Sequence, residues 1–155
     1  MRYIWKDYSS KNSILVNSWL DAEAVSMTGL DDGFDAYVNA LNEDSANFPG
    51  SNNYFKVIFE EDNPIAAVVY GIYQSIVTVA EIIVAPNERG KGKGSQLIKE
   101  LLQICNDLTD EDIKQFTSVI FPNNIPSQKA FEKAGFHFDH AHEDGDAWYY
   151  VCSLK

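Results

Sequence analysis

Arg89-Gly90-Lys91-Gly92-Lys93-Gly94-Ser95 joins two segments of different rhythm, and its reading decides the fold. Before it, residues 76–85 are apolar except for Thr78 and Glu81, the pattern of a strand buried on both faces. After it, Leu97, Ile98, Leu101, Leu102 and Cys105 recur at helical spacing. A strand, a glycine-rich turn and a helix in that order favour an anion. The first N–H groups of a helix lack internal acceptors, and the helix dipole adds about half a positive charge there. Gly90, Gly92 and Gly94 let a phosphate approach the backbone, while Arg89, Lys91 and Lys93 gather cations in an otherwise acidic chain. The competing reading is a tight turn solubilised by lysines, and these residues alone leave it open. A nucleoside triphosphatase loop is disfavoured because Lys93 precedes Gly94 rather than a hydroxyl residue. The G-x-G-x-G spacing also departs from the dinucleotide fingerprint G-x-G-x-x-G.

Outward from this turn, residues 3–8 read as a first strand with Tyr3, Trp5 and Asp7 on one face. Residues 10–25 carry Ile14, Leu15, Trp19 and Leu20 at helical spacing and close near Thr28-Gly29. A second helix follows, with Phe34, Tyr37, Val38 and Leu41 on one face, and residues 42–53, with Phe48-Pro49-Gly50, read as a mobile loop. Residues 54–59 and 65–72 flank Glu61-Asp62-Asn63-Pro64 as a hairpin. Beyond the central helix come strands at 116–121, 136–138 and 148–154 and a helix at 126–134 opened by Pro126. The expectation is an α/β fold, a single domain over residues 1–155 with about seven strands in a central mixed sheet and helices on both faces.

Composition excludes several partners. Twelve Lys+Arg against 23 Asp+Glu give a formal net charge of −11, which disfavours nucleic acid and anionic membranes. Cys105 and Cys152 read as reduced core thiols, and no leader or long apolar run is present, so a cytoplasmic chain without membrane association is expected. His137, His140 and His142 lie among Asp139, Glu143, Asp144 and Asp146. The spacing H-x-x-H-x-H matches no zinc signature, and a solvated hairpin without metal is the expectation.

Two blocks in register resemble the GNAT N-acetyltransferase superfamily. Arg89-Gly90-Lys91-Gly92-Lys93-Gly94, after Ile82-Ile83-Val84-Ala85-Pro86, is similar to its acetyl-CoA signature Q/R-x-x-G-x-G/A. Asn124-Ile125-Pro126-Ser127 and Ala130-Phe131-Glu132-Lys133-Ala134-Gly135-Phe136 resemble N-x-x-A/S-x-x-x-Y/F-x-x-x-G-F. The resemblance implies acetyl-CoA as cosubstrate. Ile82, Ile83 and Val84 would lie along pantetheine and the acetyl end, with the turn from Gly90 through Lys91, Gly92, Lys93, Gly94 and Ser95 on the pyrophosphate and Arg89 at its mouth. Asn124 and Ser127 would border pantetheine, although Asn124 also suits an Asx turn before the helix. The implied reaction is direct acetyl transfer to a primary amine of a small molecule or peptide. The alternative is a non-catalytic acyl-CoA-binding module, and a homodimer is left open.

Such transfer needs a neutral amine, yet an amine with a pKa of ~10.4 is mostly protonated near neutral pH. Glu81, the one ionisable residue in 76–85, is the candidate base, its desolvation raising its pKa; the other reading is a solvated or paired Glu. A backbone N–H near Ile83 or Val84 is the candidate oxyanion donor. At Phe131 many family members carry a Tyr that protonates the departing thiolate, so the acid stays unassigned, with Tyr149 and Tyr150 as guesses. Asp31, Asp32, Asp35, Glu43 and Asp44 either form a solvated helix pair or attract a cationic acceptor.

Overall fold

The computed structural model describes residues 2–108 and 112–153. The strands are β1 (Ile4–Asp7), β2 (Asn52–Glu60), β3 (Asn63–Tyr73), β4 (Ile76–Val84), β5 (Gln115–Ile120), β6 (His137–Ala141) and β7 (Trp148–Ser153). The helices are α1 (Ser13–Ser18), α2 (Ala22–Thr28), α3 (Phe34–Ser45), α4 (Lys93–Leu108) and α5 (Ile125–Lys133). All seven strands join one sheet in the order β1-β2-β3-β4-β5-β7-β6. β4 and β5 run parallel, joined by the crossover through α4, and the other described pairs are antiparallel. This is the mixed sheet expected from the element order.

Alternation sends the strands' apolar residues to two cores. On one face Ile58, Val68, Val77 and Phe116 pack against Leu97, Ile98 and Leu101 of α4 and Phe131 of α5. On the other, Val57, Ala67, Val69 and Ile83 meet Val16 and Trp19 near α1 and Phe34 of α3. Ile76 and Thr78 at the start of β4, and Val119 near the end of β5, stay exposed. The strand read as buried on both faces is therefore one-sided over its first half.

Other boundaries also depart from expectation. The helix expected over 10–25 is broken at Trp19-Leu20-Asp21, because Asp21 accepts from Ala24 N–H at 2.9 Å and caps a new helix, α2. The loop expected over 42–53 is shorter, spanning 46–51 around Phe48-Pro49-Gly50, because its first four residues extend α3 and its last two open β2. Glu61-Asp62 alone turns β2 into β3, and Pro64 sits in β3 opposite Phe59. Cys105 is buried and Cys152 half-buried, both unpaired thiols, and burial pushes Cys105 up to about 12. No helix among the described residues is long and apolar enough to cross a membrane.

Candidate active site

The site begins where β4 and β5 part. Their pairing runs from Ile76↔Gln115 to Val79↔Ser118 and stops there, the last link reinforced by Ser118 Oγ donating to the Val79 carbonyl at 2.9 Å. Just beyond, Val69 pairs with Glu81 while Tyr70 pairs with Val79, which leaves Ala80 as the extra residue of a β-bulge. The bulge reverses the alternation. Before it Val77 and Val79 face α4; after it Ile82 and Val84 do, while Ile83 and Ala85 join the opposite core. Glu81 consequently turns toward α3 instead of α4.

The Ala85 N–H donates to Ile65 O at 2.8 Å, which fixes the ladder's phase. By alternation Ile83 bonds β3, whereas the N–H groups of Ile82 and Val84 point into the gap. This corrects the expected oxyanion donor: Ile83, named as one candidate, is spent on β3, and its neighbours Ile82 and Val84 carry the N–H groups left free. The Val84 carbonyl is already taken, by Arg89 Nε at 3.0 Å.

On the α4 side the gap opens into a cleft of about 480 Å³ lined by Ile82, Ile83, Val84, the glycine turn, Ser95 and the face of α5 carrying Ser127 and Phe131. Gly90 and Gly92 have φ of +76°, and nothing lies within 4 Å of a Cβ built on either, so the turn is open to a ligand. The cations behave differently from expectation. Arg89, although it borders the cleft, donates to Trp19 O, Val84 O and Asp21 Oδ2 at 2.9–3.0 Å, clamping the α1–α2 corner to the end of β4. Lys93 Nζ lies 2.5 Å from Glu60 and 2.6 Å from Glu88. Only Lys91 of the three presents an exposed ammonium, 3.8 Å from Glu88.

Through the sheet the gap continues into a small chamber lined by Ala80, Glu81, Ser118, Val119, Phe121, Asn124, Ser127 and Phe131. Glu81 is half-buried, and the desolvation of its carboxyl pushes its pKa up to about 8. Its charge in turn adds to burial in raising the Tyr37 phenol. Asn123 and Asn124 donate to Ser26 O and Met27 O at 3.3 and 3.5 Å, so the start of α5 bridges to the end of α2 across one end of the gap.

Most of the residues expected at the site thus converge: Ile82 to Val84, the turn from Arg89 to Ser95 apart from Lys91, Asn124, Ser127 and Glu81 line two cavities that share six residues, while Lys91 lines neither and is exposed. Asn124 also makes the Asx-type cap, accepting from Ser127 N–H at 3.3 Å. Tyr150 is buried in the core with α4 and α5, and neither it nor Tyr149 borders the cavities. Asp31, Asp32, Asp35, Glu43 and Asp44 do not border them either; Asp35 accepts from Tyr8 and Ser13. His142, Asp144 and Asp146 cluster in the exposed β6–β7 turn and border neither cavity. Sequence reasoning missed Thr28, Met27 and Ser118 as lining residues. Ser118 had a signal, being the polar residue between inward-facing Phe116 and Ile120; Met27 and Thr28 had none.

Comparison with known proteins agrees with this geometry. The putative phosphinothricin acetyltransferase YwnH of Bacillus subtilis (strain 168) is 48% identical over 48 residues, 31% of this chain and only 28% of that relative's length. Among solved structures, AAC(6')-Ib in complex with paromomycin and acetyl-CoA superposes with a TM-score of 0.78 at 17% identity, covering 99% of this chain and 94% of that one. Spermidine N-acetyltransferase from Vibrio cholerae, in complex with CoA and spermine, gives 0.74 at 13% identity, covering 98% and 95%. At such identities the structural likeness is one of fold. The model of the Acetyltransferase (GNAT) family matches residues 16–136, well over half of the sequence, and the chain belongs to that family.

Proposed function

We propose that this chain transfers an acetyl group from acetyl-CoA to a primary amine by direct attack. The observation that carries the reading is the gap between β4 and β5, which joins a glycine-turn cleft on one side of the sheet to a chamber holding a raised carboxyl on the other. The turn's free N–H groups and the α4 dipole receive the pyrophosphate, with Lys91 supplying charge. The unpaired edge of β4 holds pantetheine and directs the thioester into the gap. There the N–H of Ile82 or Val84 meets the carbonyl oxygen as negative charge grows on it. Glu81, ionised, accepts the amine's proton directly or through water.

The acceptor is a cationic amine. A formal charge of −11 draws cations to the surface, and two proteins of similar fold hold paromomycin or spermine together with acetyl-CoA or CoA. The test is calorimetry with acetyl-CoA followed by a thiol-release screen over polyamines, amino sugars, basic peptides and neutral amines. Binding with thiol release, fastest for polycations at low salt, is the expected result. Binding without release for any amine makes the chain an acyl-CoA-binding module, a reading that the absent hydroxyl at Phe131 favours. No binding removes the assignment.

A further inference from the structure

We propose that the Ser127 hydroxyl donates the hydrogen bond that stabilises the coenzyme A thiolate as it leaves, an inference that rests on the acetyl-transfer reading above. The sulfur must sit where cleft and chamber meet, since pantetheine enters from one and the acetyl carbon must reach Glu81 in the other. Six residues border both cavities: Met27, Thr28, Ile82, Asn124, Ser127 and Phe131. Three of these side chains carry polar hydrogens. Thr28 Oγ1 gives its one proton to Ala24 O at 2.8 Å, and Asn124 Nδ2, which carries two, directs one of them at Met27 O at 3.5 Å. Ser118, deeper in the chamber, gives its proton to Val79 O at 2.9 Å. Phe131 has none to give.

Ser127 stands apart. Its backbone N–H is used by the Asn124 cap, and its hydroxyl proton has no acceptor among the described residues. It lies four residues before Phe131 on α5, so both project from the same stripe of the helix toward the junction. The hydroxyl therefore occupies the same helix face from which Phe131 offers no donor, one turn closer to the positive end of the α5 dipole.

The balance is simple. The amine nitrogen forms a bond to the acetyl carbon and passes a proton to Glu81, while the C–S bond breaks and its electron pair stays on sulfur. Ser127 keeps its proton and shares it. A hydrogen bond to a charged acceptor is stronger than a neutral one, and a thiolate whose conjugate acid has a pKa of ~8.5 needs no full proton transfer to depart. Solvent protonates it after release.

Ser127→Ala keeps the Asn124 cap, which uses a backbone N–H, and puts a good helix former in place. Ser127→Thr keeps the hydroxyl. The readouts are the single-turnover rate of thiol release and the calorimetric Kd for coenzyme A. Alanine should slow release by about 10- to 100-fold, somewhat less than removal of an oxyanion donor, with the Kd changed by less than about two-fold. Threonine should stay within about three-fold of the parent rate. An unchanged alanine rate, a rate loss matched by lost coenzyme A affinity, or threonine as slow as alanine overturns the proposal. A parent protein that binds acetyl-CoA but releases no thiol with any amine takes down the acetyl-transfer reading itself, a result distinct from all three.

Discussion

A carboxyl held near pKa 8 is mostly protonated at pH 7, so the base proposed at Glu81 would act through its minority ionised form. Turnover should accordingly climb with pH along a limb centred near 8. Glu81→Gln should lower kcat by ~10²-fold or more at pH 7, with acetyl-CoA affinity little changed, and the deficit should narrow toward the amine's pKa. The same residue gives a second readout. Its folded pKa lies above the ordinary 4.5, so its ionisation is harmless to stability below that value and costs stability progressively as pH rises from 4.5 to 8. The glutamine variant should therefore melt higher than the parent at pH 9 and match it at pH 4.5. A melting gap that does not widen with pH would deny the desolvated environment. Glu81 was legible as the lone ionisable residue of its segment. Its direction was not, because a bulge depends on which residue of the neighbouring strand it meets, and Val69 lies outside any local pattern.

Among the elements, the glycine turn shows how charge spacing and charge use separate. Arg89, Lys91 and Lys93 look equivalent in the sequence, yet Arg89 and Lys93 serve the fold through Asp21, Glu60 and Glu88, two of them contributed by distant segments. The turn's placement was legible; these partners were not. Lys93→Met should lower the melting temperature by several degrees by leaving Glu60 and Glu88 facing each other without their shared cation. Lys91→Ala, in contrast, should leave melting unchanged and weaken acetyl-CoA binding most at low salt. Matched scans and calorimetric titrations of the two variants decide it, and the reverse pattern would mean that Lys93 is the phosphate contact. The same limit applies at Gln74-Ser75, where the break between strands was legible but not its conformation, φ of 50° and 66° at two residues that carry a Cβ. Tertiary pairing imposes that geometry, and only glycine or asparagine would have announced it.

For the whole molecule the pKa shifts fall into two opposed groups. Asp21 is held low by the Ala24 N–H and Arg89, Asp7 by Lys56, and Glu60 and Glu88 by Lys93. These carboxylates contribute stability above their ordinary 3.8 or 4.5 and lose it as pH falls below. Glu81 works in the other direction from 4.5 to 8, and His142, raised by Asp144, loses its contribution as pH climbs past 6.5. Self-repulsion in a chain of charge −11 also grows with pH. The melting temperature should thus peak at mildly acidic pH, about 5 to 6, below the range where turnover is fastest. A pH series of thermal scans checks this, and a maximum at pH 8 would contradict it. The architecture itself was legible because alternation and helical spacing report burial directly, whereas the perforation of the sheet, a hydrogen-bond ladder that stops, carries no local signal and was reached only through the family resemblance. On the proposed reading that interruption governs traffic: an unbroken sheet would make donor and acceptor queue at one doorway, whereas a gap between β4 and β5 gives each its own approach. The spent carrier can leave by the side it entered while the acetylated product leaves by the other, so neither departure has to wait for the other.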